Sequence, residues 1–313
     1  MRPWSFMLTD LAIGRNNLSE RTKRGKMEVV LSCNVCQSDR IQKLDPKFNF
    51  CRCHSCGYVF DSPRPSVDEV ANFYSQPAKY DSWLKEERAR DALWQRRLRK
   101  LLPHRAEGNL LDIGAGTGQF LHHARPFFTE ITGTEISQSA IRIARERYGI
   151  ELFAGQAEEL DMAACSFANI TLFHVLEHVH DPVRLVSRCS ELLRPQGILA
   201  IAVPNDVLAW SSAIKKIGKQ LGLKPFQKFS PVLGISRAGT SREIHLSHFT
   251  PAVLRQLVKN SGMTLVEESI DPYYVSSGIG LLADSTYYAL HRILQAVLKV
   301  NYYNTLWMIA RKP

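Results

Sequence analysis

At 313 residues, 45% of them hydrophobic, the chain can bury a full α/β domain with a small appendage, and its composition is that of a soluble globular protein. A formal net charge of +10 and a pI near 9.3 draw it toward acidic partners, whether nucleic acid, phosphorylated substrates or an anionic membrane face, without choosing among them. Seven cysteines, an odd number that includes two Cys-x-x-Cys pairs, fit a metal site and free thiols in a reducing cytoplasm and argue against a secreted disulfide framework.

Residues 1–29 read as a basic tail. Met1 to Lys26 carries Arg2, Asp10, Arg15, Glu20 and Arg21 and has no uninterrupted apolar stretch, so a signal peptide is not expected. Residues 30–65 form an island of Cys, Asn, Ser, Gly and Pro, the look of a small module held by metal more than by a core. Within it, Cys33-x-x-Cys36 and Cys53-x-x-Cys56 have the spacing of a four-thiolate zinc ribbon, each pair forming a knuckle that offers two ligands. The plainer alternative is four free thiols or a redox pair, and Cys51 and His54 stand close enough to compete as ligands. From 66 to 104 the pattern turns helical and charged, with Trp83, Leu93, Trp94 and Leu98 recurring among Lys85, Arg88, Arg90, Arg96, Arg97 and Arg99; this predicts a helical connector.

Residues 105–313 predict an α/β domain. Short apolar runs, Leu110 to Ile113, Ile131 to Glu135, Ile170 to Phe173 and Ile198 to Val203, alternate with amphipathic stretches, as in a parallel sheet wrapped by helices, and Thr305 to Ala310 can add a last strand. Cys165 and Cys189 are expected as buried small apolar residues. Leu281 to Val300 is broken by Asp284, His291, Arg292 and Lys299, so no transmembrane segment is expected. The first run leads into Gly114-Ala115-Gly116-Thr117-Gly118 and a helix beginning near Gln119, a turn whose glycines let a ligand touch backbone. Asp112, at the strand end, is placed to anchor the cationic amino end of an aminoacyl nucleoside. Glu135, at the end of the second run, can accept both hydroxyls of an unphosphorylated ribose.

Leu111 to Gly118, Glu135 and the later Phe173-His174-Val175-Leu176-Glu177-His178-Val179 resemble successive motifs of the class I methyltransferase family, over about two thirds of the chain. The resemblance implies a Rossmann-like seven-stranded sheet with its last strand antiparallel and helices on both faces, and S-adenosyl-L-methionine lying over the carboxyl ends of the early strands. Carried over motif by motif, it assigns the cofactor to Asp112, Gly114, Ala115, Gly116, Gly118, Glu135, Ile136, Gln156, Ala157 and Phe173. Gly155-Gln156-Ala157-Glu158 matches the adenine-contacting motif, with Gln156 in place of the usual acid; Asn169 likewise replaces a common aspartate before the fourth strand.

His174, Glu177 and His178 follow the fourth run, where open α/β sheets place their ligands, and would share one face of a helix beginning there. They are read as the catalytic cluster, one of them taking a proton from a substrate hydroxyl or all three binding a divalent ion such as Mg²⁺. Alternatively, Glu177 and His178 cap the helix and order the cofactor loop. The segment resembles quinone-biosynthesis O-methyltransferases, whose E-x-x-E-H metal site it matches except at His174.

Residues 206–244 form a basic insert holding Lys215, Lys216, Lys219, Lys224 and Lys228, with Trp210, Ile214, Ile217 and Leu221 at helical spacing. It sits where the family places its acceptor cover and can rest on an anionic membrane or embrace a phosphorylated acceptor; a solvated helix face is the plainer reading. His245 and His248 are further candidates for the acceptor side. The ribbon run Cys53 to Pro65 resembles the leader of a bacterial methyltransferase group linked to cell-surface glycan or secondary-metabolite pathways. The expectation is a cytoplasmic enzyme methylating a small or lipid-linked acceptor at oxygen or carbon. The competing functions are an RNA methyltransferase that uses the ribbon to hold nucleic acid, and a cofactor-binding protein without catalysis.

Overall fold

The computed structural model describes residues 27–45, 47–76, 80, 84, 86–235 and 243–313. The basic tail up to residue 26 and the 236–242 part of the insert lie outside the described residues.

The chain opens with five short strands, β1 (Met27–Glu28), β2 (Ile41–Asp45), β3 (Phe50–Cys53), β4 (Val59–Asp61) and β5 (Arg64–Pro65), followed by helices α1 (Val67–Tyr74) and α2 (Glu87–Leu101). Ser66 starts α1 through a capping box with Glu69, each side chain meeting the other's backbone. The larger domain then runs β6 (Leu110–Ile113), α3 (Gln119–Ala124), β7 (Ile131–Glu135), α4 (Gln138–Tyr148), β8 (Phe153–Ala154), β9 (Phe167–Phe173), α5 (Pro182–Leu192) and β10 (Leu193–Pro204). It finishes with α6 (Trp210–Gln220), β11 (Ser247–His248), α7 (Pro251–Asn260), β12 (Thr264–Ser269), α8 (Gly278–Leu298) and β13 (Thr305–Arg311). Asp181 before Pro182, and Thr250 before Pro251, cap α5 and α7 with their side-chain oxygens, while the fixed φ of the proline suits the first helical position.

Seven strands form one sheet in the order β12-β13-β10-β9-β6-β7-β8, with β13 alone antiparallel to its neighbours. The continuous apolar strands are explained by burial on both faces. Leu199, Ile201 and Val203 of β10 pack with α5 and α7, whereas the alternating Ile198, Ala200 and Ala202 pack with Trp94 and Leu98 of α2, Phe120 of α3 and Ile141 of α4. Every parallel strand thus ends on the same side, and the loops after β6, β7 and β9 converge there.

The cysteine module is not a bead on a string. β11, far along the chain, pairs with β4 and extends the module's sheet to the order β11-β4-β3-β2. Cys33, Val35, Tyr58 and Phe60 share one buried cluster with Leu111, Ile170 and Phe249 of the larger domain. The module therefore shares a core with the larger domain and does not depend on its cysteines alone. Two further expectations are corrected. Asn169 lies inside β9 and not before it, fully buried, with its amide bonded to Ala106 O at 2.8 Å and Asn109 O at 3.0 Å, contacts that a carboxylate could not donate. Cys189 is buried as expected, but Cys165 is exposed, on a turn at φ 55°.

Candidate active site

One cavity lies over the carboxyl ends of the parallel strands. Of the ten residues expected to meet the cofactor, Asp112, Gly114, Ala115, Gly116, Glu135, Ile136, Gln156, Ala157 and Phe173 line it. Gly118 stands behind this wall, at φ 75° as the residue preceding α3, where an added Cβ would meet that of Ala144 at 3.0 Å. At Gly114 the backbone is left-handed, φ 70°, and a Cβ would lie 2.5 Å from Val175 Cγ2, so the loop's close approach to the cavity requires glycine.

Glu135 is held by the loop it serves. Its Oε2 accepts from Gly116 N at 2.8 Å, and its Oε1 accepts from Ile136 N and Ser137 N, each at 2.9 Å. Oε2 retains a lone pair toward a ribose hydroxyl, while both of those on Oε1 are taken by backbone. Asp112, also buried, accepts from the Thr171 hydroxyl at 2.6 Å. Burial pushes its carboxyl up to about 7, against the opposing pull of Thr171 and of the Arg97 guanidinium. Near neutrality it is then partly protonated, and only the ionised form attracts an ammonium group. Affinity for a ligand with a cationic amino end should tighten as pH rises through about 7, with proton release seen by calorimetry in buffers of different ionisation enthalpy. An affinity flat across that range would remove Asp112 from the role. For the free fold the sign is opposite: it should give up stability as pH climbs from the ordinary carboxyl value of 3.8 through about 7, because the folded state keeps a proton that the unfolded chain has released.

The His174, Glu177, His178 segment is a turn and not a helix, and α5 starts only at Pro182, capped by Asp181. The helix-face and helix-cap expectations are therefore corrected: His174 at φ 59° throws the chain out of β9, and the turn then brings the three side chains together. His174 Nδ1 stands 3.1 Å from Glu177 Oε1, and its Nε2 is 3.7 Å from Asp271 Oδ2. Burial alone would depress His174, but Asp271 and Glu177 outweigh it and hold the imidazole above its usual value. His178 differs. Its Nδ1 donates to the Ile244 carbonyl at 2.7 Å, which leaves Nε2 as the lone-pair nitrogen, 3.8 Å from Glu177 Oε1. Burial depresses its value, with only partial relief from Glu177, so His178 is the neutral imidazole of the pair.

Glu177 is the most enclosed group of the cluster: its carboxylate is 1% exposed and, beyond the ion pair with His174, makes no well-aligned hydrogen bond among the described residues. Its charge is met within the chain by the His174 imidazole at 3.1 Å. As potential ion ligands, Glu177 and His178 come together with His245, their ligand atoms within 4.8 Å of one another, whereas His174 falls outside this group. The expected three-residue set for a divalent ion is changed accordingly.

In the small module, Cys33 Sγ lies 3.5 Å from Cys56 Sγ and Cys36 Sγ 3.5 Å from Cys53 Sγ, and all four sulfurs lie within 4.8 Å of one another. A tetrahedral ion with bonds of about 2.3 Å needs sulfurs roughly 3.8 Å apart, so the four fit one zinc. Cys51 turns away and donates to Ser62 O at 3.6 Å, and His54 is not in the group; neither competes.

The connector proves to be a wall of the site. Tyr74 and Tyr80, with Arg90, Trp94 and Arg97 of α2, line the cavity, joined by Glu243 at the end of the insert and Tyr273 beyond it. The 90, 94, 97 spacing places three large side chains on one helical face, a signal available in the sequence. Arg97 is buried and forms a two-pronged pair with Asp271, Nε to Oδ1 at 2.9 Å and Nη2 to Oδ2 at 2.5 Å. Nothing in the sequence announced Asp271.

Comparison with known proteins matches residues 86–268 to a family model described as a methyltransferase domain. A Mycolicibacterium smegmatis protein named as a probable S-adenosylmethionine-dependent methyltransferase is 25% identical over 194 residues, 58% of this chain and 72% of that one. The ubiquinone biosynthesis O-methyltransferase of Idiomarina loihiensis is 25% identical over 187 residues, 53% of this chain and 72% of its own. An O-methyltransferase of Penicillium expansum is 27% identical over 157 residues, covering 47% and 56%. A solved SAM-dependent methyltransferase from Thermotoga maritima shares the fold with a TM-score of 0.50 at 18% identity, over 78% of this chain and 100% of that one.

Proposed function

Because the chain belongs to the methyltransferase-domain family and is an S-adenosyl-L-methionine-dependent methyltransferase, we propose that it transfers a methyl group directly to an oxygen or carbon of a small or lipid-linked acceptor, a glycan or secondary-metabolite precursor. The observation that carries this is a single cavity shared by the glycine loop, Asp112 and Glu135 at one side and His174 and His178 at the other. Bound there, the cofactor supplies a methyl group on a sulfonium, ready for in-line attack. Asp112 then anchors its amino end, Glu135 its ribose, and Gln156 and Ala157 its adenine. His178 Nε2 receives the proton of an acceptor hydroxyl, while the ionised Glu177 beside it favours the imidazolium that forms. The four cysteines hold a structural Zn²⁺, and unpaired thiols suit a cytoplasmic enzyme.

The lipid-linked alternative draws support from α6 and α8. Ile214 and Ile217 are 59% and 54% exposed on α6, beside Lys215, Lys216 and Lys219. On α8, Leu282, Leu290, Ile293 and Val297 make a solvent-facing stripe, and Trp210 meets His291 edge-on at 5.4 Å to join the two helices. Apolar side chains flanked by lysines suit the surface of an anionic bilayer. No described helix is long and apolar enough to cross one.

The test is methyl-labelled cofactor offered with glycan precursors, quinones and ribosomal RNA, the lipid-linked acceptors carried in vesicles containing phosphatidylserine. Label is expected in a small or lipid-linked acceptor. Ile214→Glu with Ile217→Glu should lower labelling of the vesicle-borne acceptor at least about tenfold without changing cofactor affinity. Label in RNA alone, or cofactor binding with no product in any class, would overturn the reading.

A further inference from the structure

A second cluster of ligating side chains lies just outside the cavity and plays no part in the chemistry above. Asp206 follows the carboxyl end of β10, and His245 and His248 come from the strand segment that pairs with the cysteine module. One oxygen, Asp206 Oδ2, faces two imidazole nitrogens: His248 Nδ1 at 3.1 Å and His245 Nδ1 at 3.4 Å. Two imidazoles and a carboxylate bound to one ion at about 2.0–2.2 Å hold their donor atoms roughly 3.0 to 3.5 Å apart, the separations seen.

The rear of each ring carries the second feature of such a site. His248 Nε2 lies 3.5 Å from Asp61 Oδ1, and His245 Nε2 lies 3.3 Å from Glu243 Oε2. A carboxylate behind each histidine fixes the ring's orientation and raises its basicity toward an ion in front. His248 and Asp61 are each 1% exposed, so this arrangement is built into the interior. By contrast, Glu177 and His178, which His245 also approaches, stand 3.8 Å apart and have no carboxylate behind the imidazole, whose Nδ1 is spent on a backbone carbonyl.

We propose that Asp206, His245 and His248 bind a divalent transition-metal ion, a site separate from the four-thiolate ribbon and from the proton-accepting pair Glu177 and His178. Two imidazoles with one carboxylate favour Zn²⁺, Mn²⁺ or Fe²⁺ over Mg²⁺ or Ca²⁺. Three protein ligands leave coordination positions open. The ion joins three parts of the chain: the end of β10, the segment around β11, and Asp61 on β4 of the module.

The experiment is a Co²⁺ titration of the full-length protein already loaded with one equivalent of Zn²⁺, followed by visible absorption and by elemental analysis. Co²⁺ should enter to one further equivalent and give ligand-field bands without the thiolate charge-transfer absorption that Co²⁺ in the ribbon would show. Asp206→Asn with His248→Gln should lose this equivalent and keep the first. If that variant fails to fold, Asp61→Asn leaves all three ligands in place and should weaken Co²⁺ binding by about 10- to 100-fold. Elemental analysis of zinc before Co²⁺ is added reads failure of the ribbon assignment separately. No second equivalent in the wild-type protein, a second equivalent with thiolate absorption, or Co²⁺ affinity unchanged by Asp61→Asn would each overturn the site.

Discussion

Cys33→Ser and Cys53→Ser proteins are expected to lose the ribbon's equivalent of zinc and to unfold at a temperature lower by about 10 °C or more. The argument begins with the four sulfurs, which converge within 4.8 Å and form no disulfide. Structural zinc contributes roughly 10–16 kcal/mol in isolated fingers of this ligand type. Here the loss should be smaller, on the order of 5 kcal/mol, because Tyr58 and Phe60 remain packed against Phe249 in the shared core. In a domain of this size about 2 to 4 °C accompany each kcal/mol, which sets the expected drop. The damage should also reach the acceptor side. Leu246 N and Ser247 N both donate to Glu177 O, at 2.7 and 3.1 Å, so a loosened β11 releases the turn that presents Glu177 and His178. Serine variants that retain full zinc, or melt with the wild type, would refute the assignment.

Removing the proton acceptor should cost on the order of a hundredfold or more in kcat. The expected pattern is that His178→Gln and Glu177→Gln lose turnover while cofactor affinity stays within about twofold, since neither residue reaches the glycine loop or Glu135. The pH profile separates the two histidines. With His178 as base, the acidic limb of kcat falls below the ordinary imidazole value of 6.5, because burial keeps this ring neutral. With His174 as base, Asp271 and Glu177 would place that limb above 6.5. Activity restored to Glu177→Gln by added Mg²⁺ would instead make Glu177 an ion ligand. Near-normal turnover in both variants, and in His174→Gln, would reduce the cluster to an architectural turn.

The sequence was most legible where backbone geometry and chemistry coincide. Gly114 to Gly118 and Glu135 could be placed because the strand, the left-handed turn and the buried acid leave a linear pattern, and the structure puts Gly114, Ala115, Gly116 and Glu135 around one cavity. The cysteine spacing was legible for the same reason: two knuckles of fixed length admit few arrangements. The turn after β9 was misread because His174, Glu177 and His178 have helical spacing, while the left-handed backbone at His174 that ends the pattern leaves no mark in composition. Arg97 with Asp271, and Asp61 with His248, join residues 174 and 187 positions apart, and no local period encodes such pairings. The connector's role in the cavity was within reach, since Arg90, Trp94 and Arg97 already shared a face.

The pairing of β11 with β4 has a consequence for how this protein can be altered. The cysteine module looks in sequence like a detachable leader, an inviting part to exchange when a different acceptor is wanted. Its fourth strand, however, is supplied by residues 247–248, and the same segment pins the carbonyl of Glu177. A graft made at the apparent linker would leave β11 facing a foreign edge, with mismatched register and a freed turn at Glu177. The smallest transplantable unit is therefore discontinuous: residues 27–76 together with 243–249, moved as one.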